Sequence, residues 1–203
     1  MRQLVLMVKE PRPGRVKTRL GAEIGMIDAA HWFRHTALGL ARRLQDPRWS
    51  LWLAVSPDIA GLSSRVWPAH LQRLPQGPGD LGSRMGRLFR SLPPGPALIV
   101  GADIPGLTGS HIARAFSALG PCPAVLGPAT DGGYWLVGLK RTATPPANLF
   151  ANVRWSTSHA LADTARTLPG PVALVDTLSD VDTAADLREL SPPPFALRTS
   201  ATK

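Results

Sequence analysis

The stretch "PALIVGADIPGL", residues 96–107, runs an apolar segment straight into an aspartate, a proline and a glycine. The run of aliphatic side chains predicts a central strand over 96–103. Asp103 stands where that strand ends, and Pro105 and Gly106 turn the chain away behind it. A bare carboxylate at the end of a buried strand loses water without gaining a partner. A divalent cation, which prefers oxygen ligands, would answer that need. The competing reading is an aspartate that merely caps the turn.

Outward from this strand, apolar runs alternate with amphipathic ones. Toward the N-terminus, "LVLMV" (4–8) reads as a strand buried on both faces. From Asp28, a candidate N-cap, to Leu44 the apolar residues Ala30, Phe33, Ala37, Leu40, Ala41 and Leu44 recur at helical spacing. "SLWLAVS" (50–56) is a second strand, and Met85, Leu88, Phe89 and Leu92 align on one face of a helix over 80–92. Toward the C-terminus, Thr108 or Ser110 caps a helix carrying Ile112, Ala115, Phe116 and Leu119. "PAVLGPA" (123–129) and "GYWLVGL" (133–139) flank the turn Thr130–Gly133. Ser156 caps a helix through Leu168, "PVALVD" (171–176) is a last strand, and Thr183 caps a short helix to Leu190. This alternation predicts an open α/β sheet that binds ligands outside the carboxyl ends of its strands. It reads as one domain over 1–190, followed by a Pro-rich, fraying tail over 191–203.

Composition narrows the function. The 203 residues are 44% hydrophobic, enough for a substantial core. No apolar run approaches the roughly 20 residues that span a bilayer, so no membrane partner is expected. "LVLMV" is too short for a signal-peptide core. Cys122 is the only cysteine, so no intrachain disulfide can form; this suits a reducing cytoplasm, the expected location. The formal charge of +9 calls for an anionic partner. Its densest cluster lies in one loop, not along a helix face or among stacking aromatics. No specific nucleic acid is therefore expected.

That loop is "KEPRPGRVKTRLG" (9–21), with Lys9, Arg12, Arg15, Lys17 and Arg19 around Pro11, Pro13 and Gly14. Crowded like charges repel unless an anion sits among them, and a triphosphate is the natural small polyanion. The Pro and Gly residues shape a backbone that a ligand can approach closely, while Arg and Lys supply forks and point charges. The Gly-Lys-Ser/Thr adjacency of a P-loop is missing. A solvated basic turn is the alternative.

Three further stretches carry candidates. "QGPGDLGSRMGRL" (76–88) is Gly-rich and opens a helix, which makes Gly82 and Arg84 candidates for contact with a nucleotide. In "GPATDGGYWLVGL" (127–139), Asp131, Gly132 and Gly133 form either a plain hairpin turn or a bed for substrate, with Tyr134 and Trp135 as a stacking face. In "DVDTAADL" (180–187), Asp182 or Thr183 is an N-cap at capping-box spacing from Asp186, or Asp182 is a second carboxylate on the metal. His31 and His35 read as a surface pair. Trp32, Trp49, Trp52 and Trp67 read as packing residues.

The order of these stretches resembles one superfamily, the nucleotide-diphospho-sugar transferases. "KEPRPGRVKTRL", "GDLGSRM", "GADIPGL", "GPATDGGYWLVGL", "WSTSHAL" and "DVDTAADL" closely resemble a bacterial family of glycosyltransferase-like proteins, sometimes labelled arsenosugar-biosynthesis glycosyltransferases. More distantly the chain is similar to the phospholactate and molybdenum-cofactor guanylyltransferases and the methylerythritol-phosphate cytidylyltransferases. The resemblance covers roughly residues 1–190. It implies a Rossmann-like three-layer α/β/α sandwich with a mostly parallel sheet, the glycosyltransferase-A fold. It implies Mg²⁺ or Mn²⁺ on Asp103 and Asp182, and a nucleoside triphosphate or nucleotide-sugar held by Lys9, Pro13, Gly14, Arg15, Lys17, Arg19, Gly82 and Arg84. Asp131, Gly132, Gly133 and Tyr134 would face the substrate. The implied reaction is nucleotidyl transfer to a small anionic acceptor, with Lys17 and Arg15 countering charge on pyrophosphate. Glycosyl transfer and non-catalytic nucleotide binding are the alternatives, and a homodimer is an open assembly state.

Overall fold

Both faces of β1 (Arg2–Lys9) are covered, which is why its apolar run is continuous. Leu4, Leu6 and Val8 enter one core cluster, while Val5 enters a second cluster on the other side of the sheet. The structure, a computed structural model, describes residues 1–190, so the tail expected over 191–203 lies outside the described residues.

Fourteen elements follow in order. They are β1, α1 (Thr18–Ile24), α2 (Met26–Arg43), β2 (Trp49–Ser56), α3 (Asp58–Ser63), β3 (Gln72–Pro75), α4 (Leu81–Ser91), β4 (Ala97–Gly101), α5 (Gly109–Ala118), β5 (Ala124–Pro128), β6 (Tyr134–Leu139), α6 (Ala160–Thr167), β7 (Val172–Leu174) and α7 (Ala184–Glu189). The seven strands form one sheet in the order β3-β2-β1-β4-β6-β5-β7. β1 pairs in parallel with β2 and β4, β2 with β3, and β5 with β7; β6 runs antiparallel between β4 and β5. Helices α1, α2, α5 and α7 pack on one face, and α4 and α6 on the other. This is the α/β sheet that the alternation predicts, in the mostly parallel α/β/α arrangement that the resemblance implies.

The amphipathic pattern places each layer. In α4, Met85, Leu88 and Phe89 are buried, each contributing about 1.5–3 kcal/mol by leaving water. Asp80 caps this helix by accepting from Ser83 N at 2.8 Å. In α5, Thr108 and His111 close a capping box.

Several boundaries differ from the sequence reading. Asp28 lies in the first turn of α2, which starts after Gly25, not at its cap. Helix α6 starts after His159, because Thr157 Oγ1 donates to Arg154 O at 2.8 Å and organises the preceding turn. Ser156 is therefore a loop residue, at φ 59°. Helices α1 and α3 and edge strand β3 are additions.

Candidate functional site

The topology brings several chain ends to one edge of the sheet. β1 and β4 are parallel, so Lys9 and Asp103 emerge together. β6 runs the other way, so its first residue, Tyr134, starts at the same edge. Asp103 follows β4, in a loop pinned by the buried side chains Ile104 and Leu107. The segment after β7 runs beside β5, with Leu178 N donating to Pro128 O at 3.1 Å, and then reaches β4's end, with Val181 N donating to Asp103 O at 3.2 Å. That bond sets Asp180 and Asp182 beside Asp103. One oxygen from each of the three carboxylates lies within 4.8 Å of the other two.

Thr183 is the N-cap of α7, and Asp186 returns the capping box through bonds from Thr183 N at 2.8 Å and Asp182 N at 2.9 Å. The Asp182 carboxylate is thereby left free of capping and faces Lys17. Lys17 Nζ lies 2.6 Å from Asp103 Oδ2 and 2.7 Å from Asp182 Oδ1, with its side chain only 7% exposed. Arg19 meets Asp182 from the exposed side at 3.2 Å. Lys17 precedes α1 in the left-handed region at φ 45°, a conformation that costs a non-glycine residue about 1 kcal/mol or more and that must be held by its surroundings.

The countercharge that Asp103 requires thus comes in part from within the chain, which amends the reading of a bare carboxylate. Burial pulls the Lys17 ammonium toward losing its proton, but the Asp103 charge and the bonds to Asp103 and Asp182 outweigh it and hold its pKa above the ordinary value. Asp180 is pushed up to about 6, first by burial and then by the neighbouring Asp103 charge. Three carboxylates answered by one buried lysine and one exposed arginine leave an excess of negative charge. Their hard oxygens fit Mg²⁺ or Mn²⁺.

A cleft of about 590 Å³ opens over this cluster. Lys9, Lys17, Arg19, Arg84, Asp103 and Asp182 line it, with Tyr134 and Trp135 in its wall. Other candidates fall outside that lining. Pro13, Gly14 and Arg15 are exposed on the far part of the basic loop. Gly82 is buried in the first turn of α4: a side chain there would meet Phe150 Cβ at 2.7 Å and Trp155 at 2.9 Å. The missing side chain is what permits this close packing.

Asp131 shapes the β5–β6 hairpin, accepting from Gly133 N at 2.8 Å. Gly132 backs onto Ser158, whose carbonyl oxygen would lie 2.6 Å from an added Cβ, and it lines neither cleft. Asp131, Gly133 and Tyr134 line a second, smaller cleft beside Asp103. His31 and His35 are exposed, while Trp32, Trp49 and Trp67 are buried in the core, as expected. The structure adds Asp180 and Trp155 to the sequence candidates; the Asp-x-Asp spacing of 180–182 is the sequence signal for the first.

Solved structures share this architecture. A protein of Desulfovibrio desulfuricans G20, provisionally named a nucleotide-diphospho-sugar transferase, matches with 27% identity and a TM-score of 0.84, over 98% of this chain and 89% of that one. Rv0371c of Mycobacterium tuberculosis H37Rv, solved in complex with manganese, matches with 16% identity and a TM-score of 0.56, over 93% and 96%. The CMP:2-keto-3-deoxy-manno-octonic acid synthetase, solved with CTP, matches with 9% identity and a TM-score of 0.55, over 93% and 96%. The two distant matches speak to fold alone. Among curated proteins, none matches. No helix among the described residues is long and apolar enough to cross a membrane. Residues 39–157 match the model of the family described as "Uncharacterized protein conserved in bacteria (DUF2064)", and the chain belongs to that family.

Proposed function

We propose that the chain is a divalent-metal-dependent transferase whose donor is a nucleoside triphosphate or a nucleotide-sugar. One observation carries this reading. The Asp103–Asp180–Asp182 cluster lies at the same sheet edge as a cleft rimmed by Lys9, Arg19 and Arg84. A nucleotide donor needs both halves: cations for its phosphates and oxygen ligands for the ion that accompanies them. The manganese and CTP of the two distant fold relatives are consistent with it.

Asp103 and Asp182, with Asp180 beside them, would hold the ion. When bound, Mg²⁺ or Mn²⁺ neutralises phosphate oxygens and stabilises charge developing on the leaving group. Arg19 and Arg84 would grip the phosphate chain with forked donors, and Lys9 would add a point charge. Lys17 holds Asp103 and Asp182 in position and competes with the ion for the same oxygens. In the favoured reaction an acceptor oxygen attacks the α-phosphorus. The new P–O bond forms as the bond to pyrophosphate breaks, and pyrophosphate leaves among the rim cations.

Glycosyl transfer from a nucleotide-sugar is the second reading. The aromatic wall of the second cleft, Tyr134 and Trp155, favours it. The test is a thermal-shift panel of nucleoside triphosphates and nucleotide-sugars, with and without Mg²⁺ or Mn²⁺, followed by product analysis. A true donor raises Tm progressively with concentration, and more so with the ion. Binding without turnover of any donor favours a non-catalytic nucleotide-binding protein. Failure of every nucleotide to bind removes the proposal.

A further inference from the structure

The second cleft, about 170 Å³, shares Leu81, Gly101, Asp103, Tyr134 and Trp135 with the first, but its chemistry differs. Asp182 lines only the first cleft, whereas Asp131 and Asp180 line only the second. The acidic cluster thus divides between two chambers that meet at Asp103. Lys, Arg and His are all missing from the lining of the second. The nearby Arg154 is engaged elsewhere, forking onto Asp163 at 2.8 and 2.9 Å.

What the second cleft offers instead is aromatic surface, the carboxylates of Asp103, Asp131 and Asp180, and the hydroxyls of Ser156 and Thr157. Tyr134 and Trp155 meet edge to face, with ring centroids 6.5 Å apart. The Tyr134 hydroxyl accepts from Thr164 Oγ1 at 3.3 Å in the interior, so the cleft is offered its ring. Asp131 has one oxygen tied to Gly133 N, which leaves the other to a ligand.

We propose that this cleft seats the acceptor, and that the part it seats is a hydroxyl-bearing, non-anionic group rather than a phosphate or carboxylate. The proposal rests on the nucleotide-donor reading above and departs from the small anionic acceptor expected from sequence. No Lys, Arg or His lines the cleft beside Asp131, so an anionic acceptor seated there meets a like charge without a basic partner in the lining. Hydroxyl groups, in contrast, donate to Asp131, and the apolar face of a polyol ring packs against Trp155. The charged groups of this lining are all carboxylates, which favours ligands that bring donors.

The test uses three probes of one shape and different charge: glucose, glucosamine and glucose 6-phosphate. Each is titrated into the whole protein and followed by saturation-transfer NMR, alone and with Mg²⁺ and a non-hydrolysable nucleoside triphosphate. Glucose and glucosamine are expected to bind at least about tenfold tighter than the phosphate. Trp155→Ala should abolish their signal, and Asp131→Asn should narrow the gap by admitting the phosphate. Equal or tighter binding of glucose 6-phosphate to the unaltered protein overturns the proposal. So does absence of signal from all three probes, or sugar binding indifferent to both substitutions. Nucleotide binding is measured by calorimetry on the same samples. Its loss counts against the donor reading, while the sugar signals of the nucleotide-free protein still decide the cleft.

Discussion

Lys17 Nζ stands 2.6 Å from Asp103 Oδ2, joining the end of the basic loop to the end of the central strand. An ion at Asp103 and Asp182 would compete with this ammonium for the same oxygens. Lys17→Met should therefore tighten Mn²⁺ binding in the absence of nucleotide by about tenfold, which corresponds to about 1.4 kcal/mol of relieved competition. The metal-free variant should melt lower, since its carboxylates then repel with only the exposed Arg19 to answer them, and Mn²⁺ should restore more of its Tm than it adds to the unaltered protein. Calorimetry and melting curves check both arms.

Asp103→Asn should lower the stability of the metal-free protein by about 1 kcal/mol. The value is below the 3–5 kcal/mol typical of breaking a buried pair, because the Asp103 side chain is 29% exposed and Lys17 keeps Asp182. The sign is opposite to that for a bare carboxylate, whose removal would relieve desolvation. Urea unfolding in chelator distinguishes the two.

Gly82→Ala should destabilise the fold by about 1–3 kcal/mol, as overpacking does, because the new methyl meets Phe150 and Trp155. Nucleotide affinity of the folded variant should stay within about twofold of the unaltered protein, a change of about 0.4 kcal/mol. A selective loss of affinity at unchanged stability would return Gly82 to the nucleotide contacts.

Asp163 supplies a pH dependence from outside the lining of both clefts. Its side chain is 7% exposed and receives Arg154 and Arg166. The hydrogen bonds from Arg154 hold its carboxyl well below the usual carboxylate range. A folded pKa below the unfolded one contributes stability that is complete above the unfolded value of about 3.9 and is lost as pH falls toward the folded value. Asp163→Asn should therefore melt lower at pH 7, and the gap should close as pH falls below about 4. A gap independent of pH would mean that the ion pair contributes nothing.

The sheet was legible because buried strands announce themselves. "LVLMV", "SLWLAVS" and "PALIVGAD" have no other stable use in a chain this size. The missed elements lack such a signal. Helix α1 buries only Leu20 and Gly21. Helix α3 turns Ile59 outward at 87% exposure, so its apolar spacing points to no core. β3 has no fully buried residue. In the site, Asp103 could be found because its cost is local to one strand end. Its partners could not. Lys17, Asp103 and Asp180 come from three distant segments, and only the crossing that carries Val181 N to Asp103 O makes them neighbours. The basic loop read as one phosphate site, but its residues divide: Lys17 turns inward to the acids, Lys9 and Arg19 reach the cleft, and Arg15 stays outside its lining.

The central claim is that Asp103, Asp180 and Asp182 hold a divalent ion on which nucleotide binding depends. Mn²⁺ titration followed by electron paramagnetic resonance, with and without a nucleoside triphosphate, tests it most directly. The account predicts one saturable Mn²⁺ site per chain, tightened by nucleotide, lost in Asp103→Asn and weakened about tenfold or more in Asp180→Asn and Asp182→Asn, as removal of one charged ligand worth at least about 1.4 kcal/mol requires. Unchanged Mn²⁺ affinity in Asp103→Asn, with nucleotide binding intact, would contradict it.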